Sequence, residues 1–212
     1  NPVNDAEFMY NALINHYTFD IENIQFLKNP TIEEFEIQLE EYETNFDSED
    51  NLLIFFAGHG YHDKGADQGY FFLKDSQKGK RRTWLSNGNI KEYINSINAK
   101  HTLLISDACF AGGIFNTRGV EEEVFAIREL NNKKSRNAMT SGIHEVPDNS
   151  VFLSYLVQEL QNNKNKYLTA SELFSNIRMP VIHNSSNQQI PEYGVISQSG
   201  DEGGDFIFIR KP

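Results

Sequence analysis

The stretches N-L-L-I-F-F-A-G-H-G at residues 51–60 and H-T-L-L-I-S-D-A-C-F-A-G-G at residues 101–113 decide how this chain folds. Each contains an apolar run with the length and the β-branched or aromatic content of a buried parallel strand. Each run is followed by one reactive side chain, His59 in the first stretch and Cys109 in the second. Open α/β sheets bind their ligands at the carboxyl ends of the strands. We therefore expect His59 and Cys109 to lie at the same sheet edge.

These two stretches resemble motifs of the caspase-like cysteine peptidases. His59 and Cys109 are 50 residues apart, and a caspase His precedes its Cys by about that distance. The sequences G-H-G at 58–60 and D-A-C-F-A-G at 107–112 are similar to motifs of the metacaspase and paracaspase branches. Further stretches resemble landmarks of the same family: N-D-A at 4–6, M-T-S-G at 139–142 and G-G-D-F at 203–206.

The order of predicted elements agrees with the fold that this resemblance implies. Apolar periodicity predicts helices, two of them opened by the capping boxes at 31–34 and 169–172, and strands between them. The helices are predicted at 5–16, 31–42, 90–97, 151–160 and 169–177, and the strands at 21–27, 52–57, 70–73, 102–107, 138–142 and 206–209. Alternating helices and strands predict an α/β protein, a three-layer α/β/α sandwich with a mostly parallel, caspase-like sheet.

The length of 212 residues fits a single peptidase domain. The resemblance divides it into a large-subunit-like part at 1–117 with the His and the Cys, a linker at 118–136, and a small-subunit-like part at 137–212. Caspase-like folds begin with a strand before the first helix. We expect that strand upstream of Asn1, or supplied from elsewhere in the chain. Because metacaspases are usually monomers, we also expect a monomer.

The composition excludes several other classes of protein. A net charge of −11 argues against direct nucleic-acid binding and suits basic substrates. No apolar run approaches the ~18 residues that a membrane span needs. A single Cys excludes an internal disulfide framework and is compatible with a reducing cytosol, so we expect a cytoplasmic protein. The many Asn residues suggest a bacterial origin.

The chemistry expected at the sheet edge is acyl transfer to a thiolate. Cys109 is the candidate nucleophile, and His59 is the candidate base that also protonates the leaving amine. The backbone N–H groups of Gly60 and Cys109 would form the oxyanion hole. The alternatives are a buried structural Cys and a capping or core His. The other His residues match no motif: His62 is predicted in a polar loop, His101 at the surface, and His16, His144 and His183 outside any constellation.

The resemblance also implies the substrate. In metacaspases an Asp two residues before the Cys, with a second acid at the start of the first helix, binds Arg or Lys before the scissile bond. Asp107 and Asp5 match these positions. Two carboxylates suit a cation, and Arg pairs with them in a bidentate manner, so we expect Arg over Lys. The alternatives are a helix N-cap for Asp5 and a solvated strand end for Asp107.

Calcium and self-processing distinguish the branches of the family. Many metacaspases bind Ca²⁺ through Asp residues after the His motif, but Asp63, Asp67 and Asp75 are sparse here. We therefore predict no metal site, no cofactor and no Ca²⁺ requirement. Caspase-like zymogens often cut themselves between their two parts. The basic linker residues are candidate sites, with an ordinary charged loop as the alternative: Arg118, Arg128, Lys133, Lys134 and Arg136.

The leading functional interpretation is a cysteine endopeptidase that cleaves proteins after exposed Arg or Lys. We expect it to be the regulated effector of a larger bacterial system, with defence as the expected context and with a regulatory domain or sensor partner. The alternative is a catalytically silent caspase-like scaffold, against which the intact His59 and Cys109 argue. A nucleotide-binding domain is the weakest alternative, because no phosphate-binding loop motif is present.

Overall fold

The fold is organised around a central sheet. The computed structural model describes residues 1–108, 115–116, 125–142, 150–186 and 189–212. The five strands of the sheet lie in the order β1 (Asn51–Ala57), β5 (His101–Asp107), β7 (Ser135–Thr140), β9 (Glu192–Ile196) and β6 (Phe115–Asn116). The first three run parallel, and β9 is antiparallel to both of its neighbours.

Helices cover both faces of this sheet. Their bounds are α1 (Pro2–His16), α2 (Ile32–Asn45), α3 (Asn87–Ser96), α4 (Phe125–Asn132), α5 (Val151–Asn162) and α6 (Ala170–Asn184). Strand β5 is buried throughout, and its side chains alternate between two cores. Leu103 and Ile105 pack with α1, α5 and α6, whereas Leu104 packs with α2 and α3. The predicted three-layer sandwich is therefore confirmed.

Helix α2 begins at the predicted capping box. The Thr31 side chain accepts a hydrogen bond from the Glu34 backbone N–H at 3.2 Å, and the Glu34 carboxylate accepts one from the Thr31 N–H at 2.8 Å. At α6 the Thr169 hydroxyl accepts the Glu172 N–H at 3.1 Å. Helix α6 continues past the predicted end to Asn184, with Pro180 inside it.

Two small sheets lie outside the central one. The first contains β2 (Gly60–Asp63), β3 (Gln68–Phe71) and β4 (Leu85–Ser86). The second pairs β8 (Tyr167–Thr169) with β10 (Ile207–Ile209), so the predicted last strand does not join the main sheet. Strands β2, β4, β6, β8 and β9 were not predicted, because they are short and have no apolar run.

The predicted strand at 21–27 is wrong. A short 3₁₀ helix spans Ile21–Asn23, and the residues that follow pair with no strand within the described ranges. A cavity of about 360 Å³ separates residues 24–30 from β1 and is also lined by α1 and α2. No described strand pairs with this edge of β1. The cavity thus lies along the edge where a strand preceding the first helix would pair, and that strand stays a prediction.

The second half of the linker that the resemblance implies at 118–136 is regular structure. Helix α4 occupies Phe125–Asn132, and β7 begins at Ser135. Every residue of β7 is buried. Its sequence is polar and therefore did not indicate a buried strand. The proposed boundary at 137 therefore falls inside a central strand.

Gly204 lies where the chain passes against the end of α4. A Cβ atom on Gly204 would lie 2.0 Å from the Lys133 carbonyl oxygen and 2.8 Å from that of Leu130. The Gly204 N–H also donates to the Lys134 carbonyl oxygen at 3.2 Å. Because these obstacles are backbone atoms, no side-chain rotation can make room for a methyl group.

We expect Gly204→Ala to lower the free energy of unfolding by about 2–4 kcal/mol, since the backbone must move apart. Urea denaturation followed by circular dichroism measures this. The matched control is Gly88→Ala in α3, where the nearest atom to the new Cβ is the Ser86 Oγ at 3.4 Å. That change should be neutral or stabilising by up to about 1 kcal/mol. Equal stability of the two variants would contradict the prediction.

Candidate active site

The parallel strands end together at one edge of the sheet. In the β1–β5 register Ala57 pairs with Asp107, and in the β5–β7 register Ser106 pairs with Thr140. The Gly58 N–H donates to the Asp107 carbonyl oxygen at 3.3 Å, so the chains remain adjacent beyond the strands. His59 therefore leaves β1 beside the end of β5, which leads through the buried Ala108 to position 109. Cys109 itself lies outside the described residues.

The backbone holds His59 at the mouth of a hairpin. The Phe72 N–H donates to the His59 carbonyl oxygen at 3.0 Å, and β2 begins at the next residue, Gly60. A Cβ atom on Gly58 would lie 2.9 Å from a ring carbon of Phe56, which explains the small residue before the His. The His59 side chain is exposed, so the alternative of a buried core His is wrong. Its role as a base, and the oxyanion role of Gly60, stay predictions.

Asp107 ends β5 as a buried carboxylate. It is only 3% exposed, so the alternative of a solvated strand end is wrong. Burial raises the pKa of Asp107 to about 6, the Ser150 and Ser141 hydroxyls act in the opposite direction, and the Asp5 carboxylate raises the pKa further. The Asp107 Oδ1 atom is buried and has no hydrogen-bond partner among the described residues. The end of β5 thus presents an unsatisfied acceptor beside a second acid.

Asp5 reaches this carboxylate from helix α1. The helix begins at Pro2 with Asn1 as its N-cap, so the alternative of an N-cap role for Asp5 is wrong. Asp5 lies one turn into the helix, and its side chain is 19% exposed. Its charge contributes to the raised pKa of Asp107, so the two acids on α1 and β5 interact electrostatically. The structure therefore places both predicted pocket acids in one cluster.

We call Asp107 and Asp5 the acid cluster. Two serines join it, and only one of them was in a predicted motif. Ser141 follows β7, and its backbone N–H donates to the Ser106 carbonyl oxygen at 3.1 Å. Its hydroxyl is close enough to act on Asp107 but makes no hydrogen bond of ordinary geometry with any described residue. Ser150 caps α5 by accepting the Leu153 N–H at 3.1 Å. A Ser directly before an apolar-faced helix is the signal that could have identified it.

Gly142 ends this segment in a backbone conformation that favours glycine. Its φ angle is +116°, and a Cβ atom would lie 2.8 Å from the Ile190 carbonyl oxygen. The turn after Ser141 therefore needs a residue without a side chain.

The remaining His residues are outside this cluster. His62 lies in strand β2 rather than in a loop, with its Nε2 atom 3.2 Å from the Asp67 carboxylate. His101 is 2% exposed, so its predicted surface position is wrong. Its Nδ1 atom lies 3.0 Å from the Ser135 hydroxyl, and burial lowers the pKa of this His. His16 and His183 lie in the last turns of α1 and α6, and His144 is outside the described residues.

Glu192 is a further acid at the same sheet edge that the sequence did not reveal. It is the first residue of β9 and pairs with Thr140. Burial raises the pKa of Glu192, whereas Arg178 and His62 lower it.

In the part of the chain that the structure describes, no three His, Cys, Asp or Glu residues form a group that could hold a metal ion. None of the described helices is both long and apolar enough to cross a membrane.

The candidate cleavage residues have different environments. Arg136 is 4% exposed inside β7, and its guanidinium donates to the carbonyl oxygens of Lys100, Ser135 and Ala99. It is therefore no part of an accessible linker. Arg128 is exposed on α4, and the backbone of Lys134 bonds with Glu202 and Gly204. Lys133 is exposed at the end of α4, and Arg118 lies outside the described residues.

The fold and the sheet edge define a protein of the caspase-like α/β class. The solved structure of protein GSU0716 from Geobacter sulfurreducens is similar, with a TM-score of 0.50 and 11% identity over 83% of this chain and 79% of that chain. At this identity the likeness shows the fold alone. None of the curated proteins matches the sequence.

The family model Peptidase_C14, caspase domain, matches residues 1–198. The chain therefore belongs to the caspase-domain peptidase family, and it is a cysteine-type peptidase domain.

The buried state of Asp107 makes a prediction about stability. Its folded-state pKa of about 6 lies above the ordinary value of 3.8, so the folded protein holds this proton more tightly than the unfolded chain. The stability that the protonated carboxyl contributes is present below about pH 4 and is lost as the pH rises through about 6. Well above pH 6 we expect Asp107→Asn to be more stable than the wild type by up to about 3 kcal/mol.

Urea unfolding at a series of pH values from 4 to 8 measures this difference, which should vanish near pH 4. The matched control is Glu22→Gln at an exposed position, which should follow the wild-type profile. A variant that is less stable than the wild type at pH 8 would show that the ionised carboxylate is well accommodated.

Proposed function

We propose that this peptidase domain cleaves proteins after Arg, and less readily after Lys, with Cys109 as the nucleophile and His59 as the base. The observation that carries the proposal is the buried Asp107 carboxylate with Asp5 beside it at the sheet edge next to His59. A buried carboxylate with an unsatisfied oxygen is costly. A substrate cation would supply both the missing donors and the compensating charge.

Arg suits this cluster better than Lys. The guanidinium offers five N–H donors in a fixed plane, which allows simultaneous hydrogen bonds to two carboxylates. The Ser141 hydroxyl, unpartnered among the described residues, adds a further acceptor. An ammonium group supplies three donors at a single point and would satisfy fewer of these acceptors.

The proposed chemistry at the scissile bond needs three groups. The Cys109 thiolate attacks the carbonyl carbon, the N–H groups of Gly60 and Cys109 stabilise the oxyanion, and His59 protonates the leaving amine. The exposed position of His59 supports this, because a substrate can reach it.

We also propose that the activity needs no Ca²⁺. The three acids that follow the His motif already have partners. Asp63 accepts from the Arg81 guanidinium at 2.5 Å, Asp67 lies 3.2 Å from the His62 ring, and Asp75 accepts the Ile32 N–H at 3.1 Å. A Ca²⁺ ion needs six to eight oxygen ligands and would have to displace these contacts.

The deciding experiment is the cleavage of fluorogenic peptides with Arg, Lys, Leu or Asp before the scissile bond, with and without EDTA. We expect kcat/KM in the order Arg, Lys, then Leu and Asp, with no loss in EDTA and no activity in Cys109→Ala. Asp-selective cleavage would contradict the acidic pocket and leave the peptidase in place. Cleavage of none of the peptides, with no labelling of Cys109 by a chloromethylketone, would favour the silent scaffold.

The pH dependence tests the pocket itself. The ratio of kcat/KM for Arg to that for Leu should rise as the pH increases through about 6, because Asp107 ionises there. Taking the ratio removes any pH dependence that the two substrates share. Asp107→Asn should abolish the rise and lower the ratio at pH 8 by roughly 30-fold or more, as expected for loss of a buried charge partner. Glu22→Gln is the control, and an unchanged ratio in Asp107→Asn would overturn the assignment.

We further propose self-processing between the two parts of the domain, in a larger bacterial system that a regulatory domain or sensor partner controls, with defence as the expected context. Exposed basic residues before β7 support the first part of this proposal. Arg136 is no longer a candidate, because β7 buries it. The candidates that remain are Arg118, Arg128, Lys133 and Lys134.

Mass spectrometry of the incubated wild type should find a break after one of these four residues, and Cys109→Ala should stay intact. A combined Arg128→Gln, Lys133→Gln and Lys134→Gln variant separates the described sites from Arg118. An uncut wild type that cleaves Arg peptides at full rate would contradict self-processing.

A further inference from the structure

His59 shares one face of the β2–β3 hairpin with a group of aromatic rings. Tyr61 pairs with Tyr70 in the antiparallel register. The hydrogen bond from the Phe72 N–H to the His59 carbonyl oxygen continues this ladder by one pair beyond Gly60. Side chains alternate between the two faces of a sheet, so Tyr61, Tyr70 and Phe72 lie on the face of His59.

Trp84 completes this group. Its ring centroid lies 4.9 Å from that of Phe72 and 5.6 Å from those of Tyr61 and Tyr70. Its indole N–H donates to the Gln77 carbonyl oxygen at 2.9 Å, which fixes the ring. We call Tyr61, Tyr70, Phe72 and Trp84 the aromatic cluster.

The aromatic cluster reaches the hairpin surface through three of its rings, whereas Tyr70 is buried beneath them. Tyr61 is 43% exposed, and Phe72 and Trp84 are half-buried. The nearby Arg81 guanidinium is paired with Asp63 at 2.5 Å, so the charge beside the rings is neutralised. The surface next to His59 is therefore apolar and fixed in position.

The direction of the reaction determines which part of a substrate meets these rings. When the thiolate attacks, a C–S bond forms. The C–N bond then breaks, and its electron pair leaves with the amine, which takes a proton from His59. The amine belongs to the residue after the scissile bond, so that residue must lie against His59. In the proposed function the residue before the bond lies against Asp107, at the end of the strand next to β1.

We propose that the aromatic cluster binds the side chain of the residue that follows the scissile bond and favours an aromatic or large apolar residue there. This inference rests on the proposed peptidase function. Ring stacking and burial of the half-exposed Tyr61 and Trp84 would supply the binding energy. The acid pocket and the aromatic cluster would then select the two residues on either side of the bond.

The test uses peptides with Arg before the scissile bond and Phe, Leu, Gly or Glu after it. We expect kcat/KM to be about ten-fold higher for Phe than for Gly, as for one well-packed apolar side chain. Tyr61→Ala should lower this preference about five-fold, and Tyr61→Phe should keep it. Tyr167→Ala is the matched control, since Tyr167 is 38% exposed on β8, outside the aromatic cluster. Its preference should equal that of the wild type.

Trp84 is the only tryptophan of the chain and provides a second measurement. In Cys109→Ala, the peptide amide Phe-Gly-Gly should change the tryptophan emission in a saturable way, and Gly-Gly-Gly should not. This measurement detects peptide binding at the aromatic cluster directly, without any turnover.

The outcomes separate the two proposals. Equal rates for Phe and Gly, or a Tyr61→Ala variant that keeps the preference, would overturn the subsite and leave Arg-selective cleavage intact. A cluster that only stabilises the hairpin would lower the melting temperature of Tyr61→Ala without changing the preference, which also overturns the subsite. Failure to cleave any Arg peptide would overturn the proposed function and this subsite with it.

Discussion

The parallel register of β1, β5 and β7 is the constraint on which the rest of the molecule depends. Side chains alternate along a strand, so a slip of one residue would turn every side chain of β5 to the opposite face. Leu103 and Ile105 would then leave the core of α1, α5 and α6, and Asp107 would turn away from α1. The burial of both faces of β5 makes such a slip costly. The same packing that stabilises the sheet thereby holds the Asp107 carboxylate towards Asp5.

The acid cluster lowers the stability of the fold locally, and the surrounding core compensates for this loss. A carboxylate with an unsatisfied buried oxygen opposes folding, and a second acid nearby increases the repulsion. Isolated buried polar groups of this kind are expected at functional sites, where a protein tolerates a locally destabilising residue because binding requires it. The cluster stands at the end of a strand that is buried throughout and packed in two cores.

The sequence predicted the elements whose signal is local and strong. The apolar runs of β1 and β5 and the Thr31 capping box identified their elements. The motif resemblance predicted that Asp5 and Asp107 act together, although they are far apart in sequence. Residues 21–27 have a strand-like composition, but composition does not supply a neighbouring strand to pair with. His101 and Arg136 looked solvent-exposed because polar residues usually are, and only tertiary contacts to Ser135 and to backbone carbonyls reveal their burial. The aromatic cluster has no sequence signal, because its rings meet only through the hairpin register.

The position of β7 also bears on what a break in the chain before it would do. β7 is hydrogen-bonded on one side to β5 and on the other to β9, and the Arg136 side chain links it to the loop before β5 through the carbonyl oxygens of Ala99 and Lys100. Scission before Ser135 would leave all of these contacts in place and would remove only the connection from α4. The two parts would therefore stay associated as one folded sheet. What changes is the freedom of the chain before the break, which connects Cys109 with the start of β7, at the end of this strand away from Ser141. Processing in this fold would thus act on the chain that follows Cys109 rather than on the assembly of the domain.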